Sequence, residues 1–316
     1  MALQVLILIV SLTVLGFSAN YLVNASIRIA RRWHVSELFI GLTIVAMGTS
    51  APEIAVSVAA ALKGQGDLSV GNVIGSNIFN LGFILGLVAI MAAQKIDKKT
   101  VKRDMPILLV ATLLILIFML DLKIVPLEGA ILLLVLVGYL IVLFLKKDIS
   151  ENELTRKGNW RDYVIFLISL VVLVKSSDIA VAAAVNIAEY FKVSAWAIGA
   201  TIVAAGTSLP EIATSVIATI KKKFGLSIGN VVGSDIFNTF GIIGISSLIK
   251  PITLEAKTYI LGMADSIFSV LILVLTIIML MVFMRSGWRL SRREGAIIFT
   301  IAILRMVFEI YVGRMS

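Results

Sequence analysis

The stretch Gly48-Thr49-Ser50-Ala51-Pro52-Glu53 decides the fold, together with its twin Gly206-Thr207-Ser208-Leu209-Pro210-Glu211. Each hexapeptide lies inside an apolar segment long enough to cross a bilayer, so each places a carboxylate, two hydroxyls and a proline at membrane depth. A charged side chain at the bilayer centre costs roughly 2.5–3.5 kcal/mol on insertion scales, which makes an intramembrane Glu a functional candidate by default. The bland alternative is a Glu neutralised by a proton or by a neighbouring helix. Pro52 removes a backbone donor and its ring crowds the carbonyl of Gly48, loosening the helix just ahead of Glu53. Carbonyls around Ala46 to Thr49, the hydroxyls of Thr49 and Ser50, and the Glu53 carboxylate then form an all-oxygen environment. Such a set suits Ca²⁺, Na⁺ or Mg²⁺ rather than Zn or Cu. Proline kinks also serve packing, but the second copy of the device weighs against packing alone.

A shift of 158 residues lays Ile40 to Gly86 on Ile198 to Gly244 without a gap, and about six positions in ten are identical, far more than shared hydrophobicity produces. The chain is a duplication. Ser18 and Ala25 find partners in Ser176 and Ala183, and Glu128-Gly129-Ala130 is echoed by Glu294-Gly295-Ala296, so the repeated unit spans about five helices. Consecutive units with an odd number of spans enter the membrane from opposite sides. The halves therefore form an inverted-topology repeat, an architecture of secondary transporters that bind substrate near the midplane.

Composition agrees. The hydrophobic fraction is 59% and the mean hydropathy +1.05, values of a polytopic membrane protein. Apolar runs at about residues 3–30, 37–62, 69–94, 105–121, 125–145, 163–190, 195–220, 226–249, 258–284 and 294–312 predict about ten helices. The expected organisation is a first five-helix repeat over 1–146, a cytoplasmic linker over 147–161 and a second repeat over 162–316, with no separate cytosolic regulatory domain. The first run lacks a basic leader and a cleavage signal, and is expected to be a retained helix. With no cysteine there is neither a disulfide nor a thiolate metal site.

The net charge of +9 sits mostly on one side of the ten spans, at Arg28 to Arg32, Lys95 to Arg103, Lys146 to Arg161, Lys221 to Lys223 and Arg285 to Arg293. The positive-inside rule makes that side cytoplasmic and places both termini outside. No aromatic residues interleave the bases as a nucleic-acid surface requires, and contact with anionic lipid is the simpler use.

Each half carries a second matched stretch: Gly71-Asn72-Val73-Ile74-Gly75-Ser76-Asn77-Ile78-Phe79-Asn80, and Gly229-Asn230-Val231-Val232-Gly233-Ser234-Asp235-Ile236-Phe237-Asn238. Ser76 and Asn80 stand four apart on one helical face, as do Ser234 and Asn238, so each pair offers stacked oxygens to whatever Glu53 and Glu211 hold. A single Ser or Asn in a membrane helix more often bonds a neighbouring helix; repetition beside the Glu motif favours the ligand reading. Gly71 and Gly75 are expected to admit a close helix contact. Lys175 with Asp178, and Arg305 with Glu309, have the spacing of structural pairs. Asp104 and Asp265 open helices and are expected to cap them. Asp235, the counterpart of Asn77, is a secondary candidate for the ion path, and His34 is expected to be solvated in a short loop.

The paired GTS-x-PE and GN-x-x-GS-x-IFN segments resemble the alpha repeats (here 40–86 and 198–244) of the calcium/cation antiporter superfamily, most closely its sodium/calcium exchanger branch. The resemblance covers essentially the whole chain. It implies a ten-helix antiporter whose second, third, seventh and eighth helices surround a cation site while the first and sixth slide as a gate. The ligands it implies are Glu53 and Glu211, Thr49 and Thr207, Ser50 and Ser208, the carbonyls of Ala46 and Ala204, Ser76 and Ser234, and Asn80 and Asn238. Some relatives, including potassium-dependent ones, carry Asp where this chain has Asn238, which makes potassium co-transport less expected here. Proton-exchanging relatives carry a GN-x-x-E motif in place of GTS-x-PE, which weighs against proton coupling.

The expectation is Na⁺/Ca²⁺ antiport by alternating access, with Ca²⁺/H⁺ antiport as the alternative. The ions are the substrates, and no cofactor, nucleic acid or obligate protein partner is implied; the location is the cell membrane. A channel would share the oxygens, but the inverted duplication argues against it. An intramembrane enzyme lacks a nucleophile beside a base.

Overall fold

The computed structural model describes residues 1–146, 159–191, 204–255, 259–260 and 263–312. It is an all-α polytopic membrane protein. In chain order the helices are α1 (Ala2–Trp33), α2 (Glu37–Thr49), α3 (Ala51–Leu62), α4 (Gly66–Met91), α5 (Met105–Phe118), α6 (Pro126–Leu145) and α7 (Arg161–Tyr190). They continue as α8 (Ala204–Gly206), α9 (Leu209–Ile220), α10 (Phe224–Ile249), α11 (Asp265–Arg285) and α12 (Arg292–Val312). Among the described residues six helices are long and apolar enough to cross a bilayer singly, and α2 with α3 forms a broken span bent by 49°. The run starting near 258 becomes helical only at Asp265, because Tyr259–Ile260 and Met263–Ala264 pair as a short hairpin. Residues 147–158 of the linker and residues 195–203 of the run over 195–220 lie outside the described residues.

Two short antiparallel pairings fix the ends of the molecule. Gln94–Lys95 pairs with Arg289–Leu290, and Lys123–Ile124 pairs with Ile252–Thr253. The first joins two connections from the base-rich set and the second joins two from the opposite set. At the base-rich end Arg28 also pairs with Asp162.

The two halves use the same local devices. Val125 N–H donates to Glu128 Oε2 at 2.8 Å ahead of α6, and Ser291 N–H donates to Glu294 Oε2 at 2.7 Å ahead of α12. The adjoining glycines let helices meet at backbone distance: a Cβ on Gly129 would strike Ser247, and one on Gly295 would lie 3.0 Å from the Gly86 carbonyl. Membrane helices associate through such small residues because lipid supplies no hydrophobic drive between them. Thus α6 seats on the end of α10, and α12 on the end of α4.

In the second copy of the stretch the expected close contact is made: a Cβ on Gly229 would lie 2.7 Å from the Leu38 carbonyl, and one on Gly233 2.7 Å from Leu42 Cα. For Gly71 and Gly75 the counterparts of Leu38 and Leu42, residues 196 and 200, lie outside the described residues. One expectation is corrected. Asp104 makes no capping hydrogen bond. It is buried in a π turn ahead of α5, where Arg103 Nε donates to it at 2.7 Å and the Tyr139 hydroxyl at 2.9 Å. A buried carboxylate needs donors more than a helix end needs a cap. Lys175 and Asp178 do pair, at 3.6 Å. The side chains of Asp265 and Glu309 lie outside those described.

Candidate functional site

Pro52 does not kink a continuous helix. The backbone breaks at Ser50 (φ −77°, ψ 9°), and Pro52 stands in the first turn of α3, where its missing donor costs nothing. Leu209-Pro210 repeats the arrangement in α9 after Ser208 (φ −88°, ψ 7°). Each break presents Glu53 or Glu211 in the first turn of a new helix, a position the helix dipole favours for a carboxylate. The Ala46 carbonyl is not freed as expected. It accepts the Ser50 N–H at 3.0 Å, the Thr49 hydroxyl at 3.3 Å and the Ser234 hydroxyl at 3.4 Å.

The two breaks meet and cross. The Ser50 hydroxyl donates to Glu211 Oε1 at 3.2 Å, and the Ser208 hydroxyl donates to Glu53 Oε1 at 3.2 Å. All four residues are fully buried. Each carboxylate is thus oriented by a serine of the other half. The second motif supplies the surrounding wall. Ser234 donates to Glu211 Oε1 at 3.4 Å, Asn80 Nδ2 to Asp235 Oδ1 at 2.8 Å, and Asn238 Nδ2 to Ser76 Oγ at 3.4 Å and Asn77 Oδ1 at 3.2 Å. Asn80 opens a π turn at Asn80–Ile84, and Asn238 lies in the matching turn Phe237–Ile242. Such bulges inside helices recur at functional sites.

What remains unsatisfied defines the chemistry. Among the described residues Glu53 Oε2, Glu211 Oε2, Asp235 Oδ2, Asn80 Oδ1 and Asn238 Oδ1 are buried without a hydrogen-bond partner, and the Thr207 hydroxyl lies beside Glu53. Buried polar atoms are ordinarily paired, so this concentration of orphaned oxygens at the contact of the two halves has the donor set of a hard-cation site. Among the described residues no three His, Cys, Asp or Glu side chains converge as a fixed metal cluster would require. Of the oxygens predicted from sequence, those of Glu53, Glu211, Thr49, Ser50, Ser208, Ser76, Ser234, Asn80, Asn238 and Ala46 belong to this network. Ala204 opens α8, and its side chain is not described.

Sequence reasoning missed some contributors. Asn72 Nδ2 donates to the Glu53 carbonyl at 3.3 Å and to Ser57 at 2.9 Å; Asn230 Nδ2 does the same to the Glu211 carbonyl at 3.4 Å and to Ser215 at 3.0 Å. These asparagines clamp the first turn of the helix that carries each Glu. Their duplication was the available signal. Asp235 moves from a secondary candidate to the wall of the site, fully buried and within electrostatic reach of Glu211. Helix α7 touches both breaks: Leu170 fills the space a Cβ on Gly48 would take, Val181 does so at Gly206, and the Ser177 hydroxyl donates to the Gly206 carbonyl at 3.1 Å.

Fold and site together define a helical membrane transporter. The family model for sodium/calcium exchanger proteins matches residues 3–145 and 162–311, and the chain belongs to that family. Its relatives include CaxA of Alkalimonas amylolytica, 36% identical over 311 residues covering 94% of this chain and 96% of that one. The sodium/calcium exchanger MaX1 of Methanosarcina acetivorans is 29% identical, covering 96% of this chain and 98% of its own. Among solved structures the sodium-calcium exchanger NCX_Mj superposes with a TM-score of 0.84 at 29% identity, over 96% of this chain and 98% of the other. These similarities make the chain an antiporter rather than an enzyme, with ions as substrates and no cofactor.

Proposed function

We propose that the protein exchanges Na⁺ for Ca²⁺ across the cell membrane, exposing the crossed-glutamate site to each side in turn. The observation that carries the reading is the reciprocal pair Ser50–Glu211 and Ser208–Glu53, with the second oxygen of each carboxylate left free. Two carboxylates match the charge of one Ca²⁺, and the adjoining hydroxyl and amide oxygens replace its hydration shell. Several Na⁺ ions compete for the same oxygens, and that competition supplies the coupling. Ion binding shifts the conformational equilibrium only through differential affinity for the two states. An unfilled site holding bare carboxylates away from water is costly to occlude, which suppresses uncoupled leak.

In this reading residues 1–146 and 162–316 are the two repeats that exchange roles, the base-rich end faces the cytoplasm with both termini outside, and bilayer lipid is the only other partner. The sodium/calcium exchanger MaX1 and NCX_Mj, named for the same exchange, support Na⁺ as the coupling ion. Ca²⁺/H⁺ exchange is the competing outcome. The test is uptake of radiolabelled Ca²⁺ into proteoliposomes driven by an outward Na⁺ gradient. Uptake that ignores the Na⁺ gradient and follows a pH gradient replaces Na⁺ coupling with proton coupling.

A further inference from the structure

We propose that a second site, distinct from the ion site, binds the phosphate group of an anionic ligand in a cavity at the base-rich end. The cavity holds about 400 Å³ between the end of α1, the start of α2, residues 95–97 and the turn ahead of α10. Arg31, His34, Lys95 and Lys222 line it, with Glu37 and Asp97. Glu37 is neutralised by Lys223 at 2.7 Å, whereas Asp97 Oδ1 accepts the backbone N–H of Lys99 at 2.8 Å and keeps its charge. Lys95 and Lys222 are exposed and have no ion-pair partner among the described residues. Against that single carboxylate the two ammonium groups leave the balance facing the cavity cationic.

The duplication provides an internal control for Lys222. The turn Lys221-Lys222-Lys223 between α9 and α10 is the counterpart of Lys63-Gly64-Gln65 between α3 and α4. Both turns close with the same backbone bonds, at 2.9 and 2.8 Å in the first case and 2.9 and 2.9 Å in the second. Both place their middle residue in the left-handed region, Lys222 at φ 60° and Gly64 at φ 75°. That conformation favours glycine, which has no Cβ to clash. Lysine therefore stands at a position where the backbone favours glycine. Its neighbours have structural work: Lys221 Nζ donates to Asn24 Oδ1 at 2.9 Å, and Lys223 holds Glu37. Lys222 is the one that lines the cavity. His34 ends α1 in the same left-handed conformation, φ 53°, and lines it from the other side.

The depth of the cavity points to the ligand class. Trp33 and Trp160 are exposed at this end, and the ammonium groups of Lys98 and Lys102 lie 5.3 and 6.0 Å from the Trp288 ring centre. Tryptophan collects at the headgroup level of a bilayer, where lysine and arginine attract anionic lipid. A lipid phosphodiester and free phosphate offer the cavity the same chemistry. The site requires no assumption about which ions are exchanged, so its test reads binding rather than transport.

The full-length protein is reconstituted in nanodiscs of phosphatidylcholine with and without phosphatidylglycerol, and retained phosphatidylglycerol is counted by native mass spectrometry. Lys222→Gly and Lys95→Gln are each expected to lower retention about fivefold, as the loss of one base near an anionic headgroup does. Lys222→Gly should also leave the thermal midpoint at or above that of the parent, as Gly64 shows the turn accepts glycine. If Lys222→Gly fails to fold, Lys95→Gln decides alone. Inorganic phosphate that displaces the lipid, or that binds in pure phosphatidylcholine, identifies free phosphate as a ligand; retention unmoved by phosphate identifies the lipid. Retention equal to the parent in both variants, or binding of neither probe, overturns the proposal.

Discussion

Asn80 donates through Nδ2 to Asp235 at 2.8 Å, and across the contact of the two halves Asn238 donates to Asn77 at 3.2 Å, so the same crossed pair occurs twice with one carboxylate exchanged for an amide. Asp235→Asn converts the first pair into the second. The mirrored pair shows that an amide fits, so the variant should fold while the wall of the site loses its carboxylate. The half-saturating Na⁺ concentration should rise roughly tenfold, about 1.4 kcal/mol. Ca²⁺ should shift less, because Glu53 and Glu211 still supply its two charges. Equal shifts for both ions, measured by flux titration, would remove Asp235 from the Na⁺ positions.

Glu53→Gln and Glu211→Gln should each abolish Ca²⁺ uptake. The crossing gives each carboxylate a serine of the other half, so Ser50→Ala and Ser208→Ala should each produce a smaller loss. Ca²⁺ should also stop raising the thermal midpoint of the Glu variants, since a ligand stabilises only a state it binds. A Gln variant that transports normally would return these glutamates to a structural role.

The close approach of α10 to α2 predicts a cost for an added atom at Gly229. Gly229→Ala drives a Cβ against the Leu38 carbonyl and the Leu42 amide, backbone atoms that cannot turn aside, and should destabilise by about 1–3 kcal/mol. Thermal unfolding of the variant in detergent checks it, and an unchanged midpoint would mean that the two backbones are not in contact there.

The spans were legible because ten apolar runs alternate with charged connections, and the site was legible because its costly groups recur at one fixed spacing. Asn72 and Asn230 show the limit of that logic: duplication marks them, yet only packing reveals that their amides hold the carbonyls of Glu53 and Glu211. Asp235 was harder for the opposite reason, since it breaks the repetition that gave the other residues their weight.

Asp104 gives the last prediction, because its environment reverses what helix position implied. The carboxylate is fully buried and depends on Arg103 and on the Tyr139 hydroxyl, which reaches it from α6. Tyr139→Phe removes one donor and should cost about 1–3 kcal/mol, the penalty of an unmet buried acceptor. Arg103→Gln strips the compensating charge and should cost more, about 3–5 kcal/mol. Asp104→Asn in the Arg103→Gln background should recover part of the loss, since a neutral amide no longer requires the guanidinium. Thermal midpoints of the three variants decide the matter. A capping role predicts no coupling among them, because Tyr139 lies on another helix and has no part in starting α5.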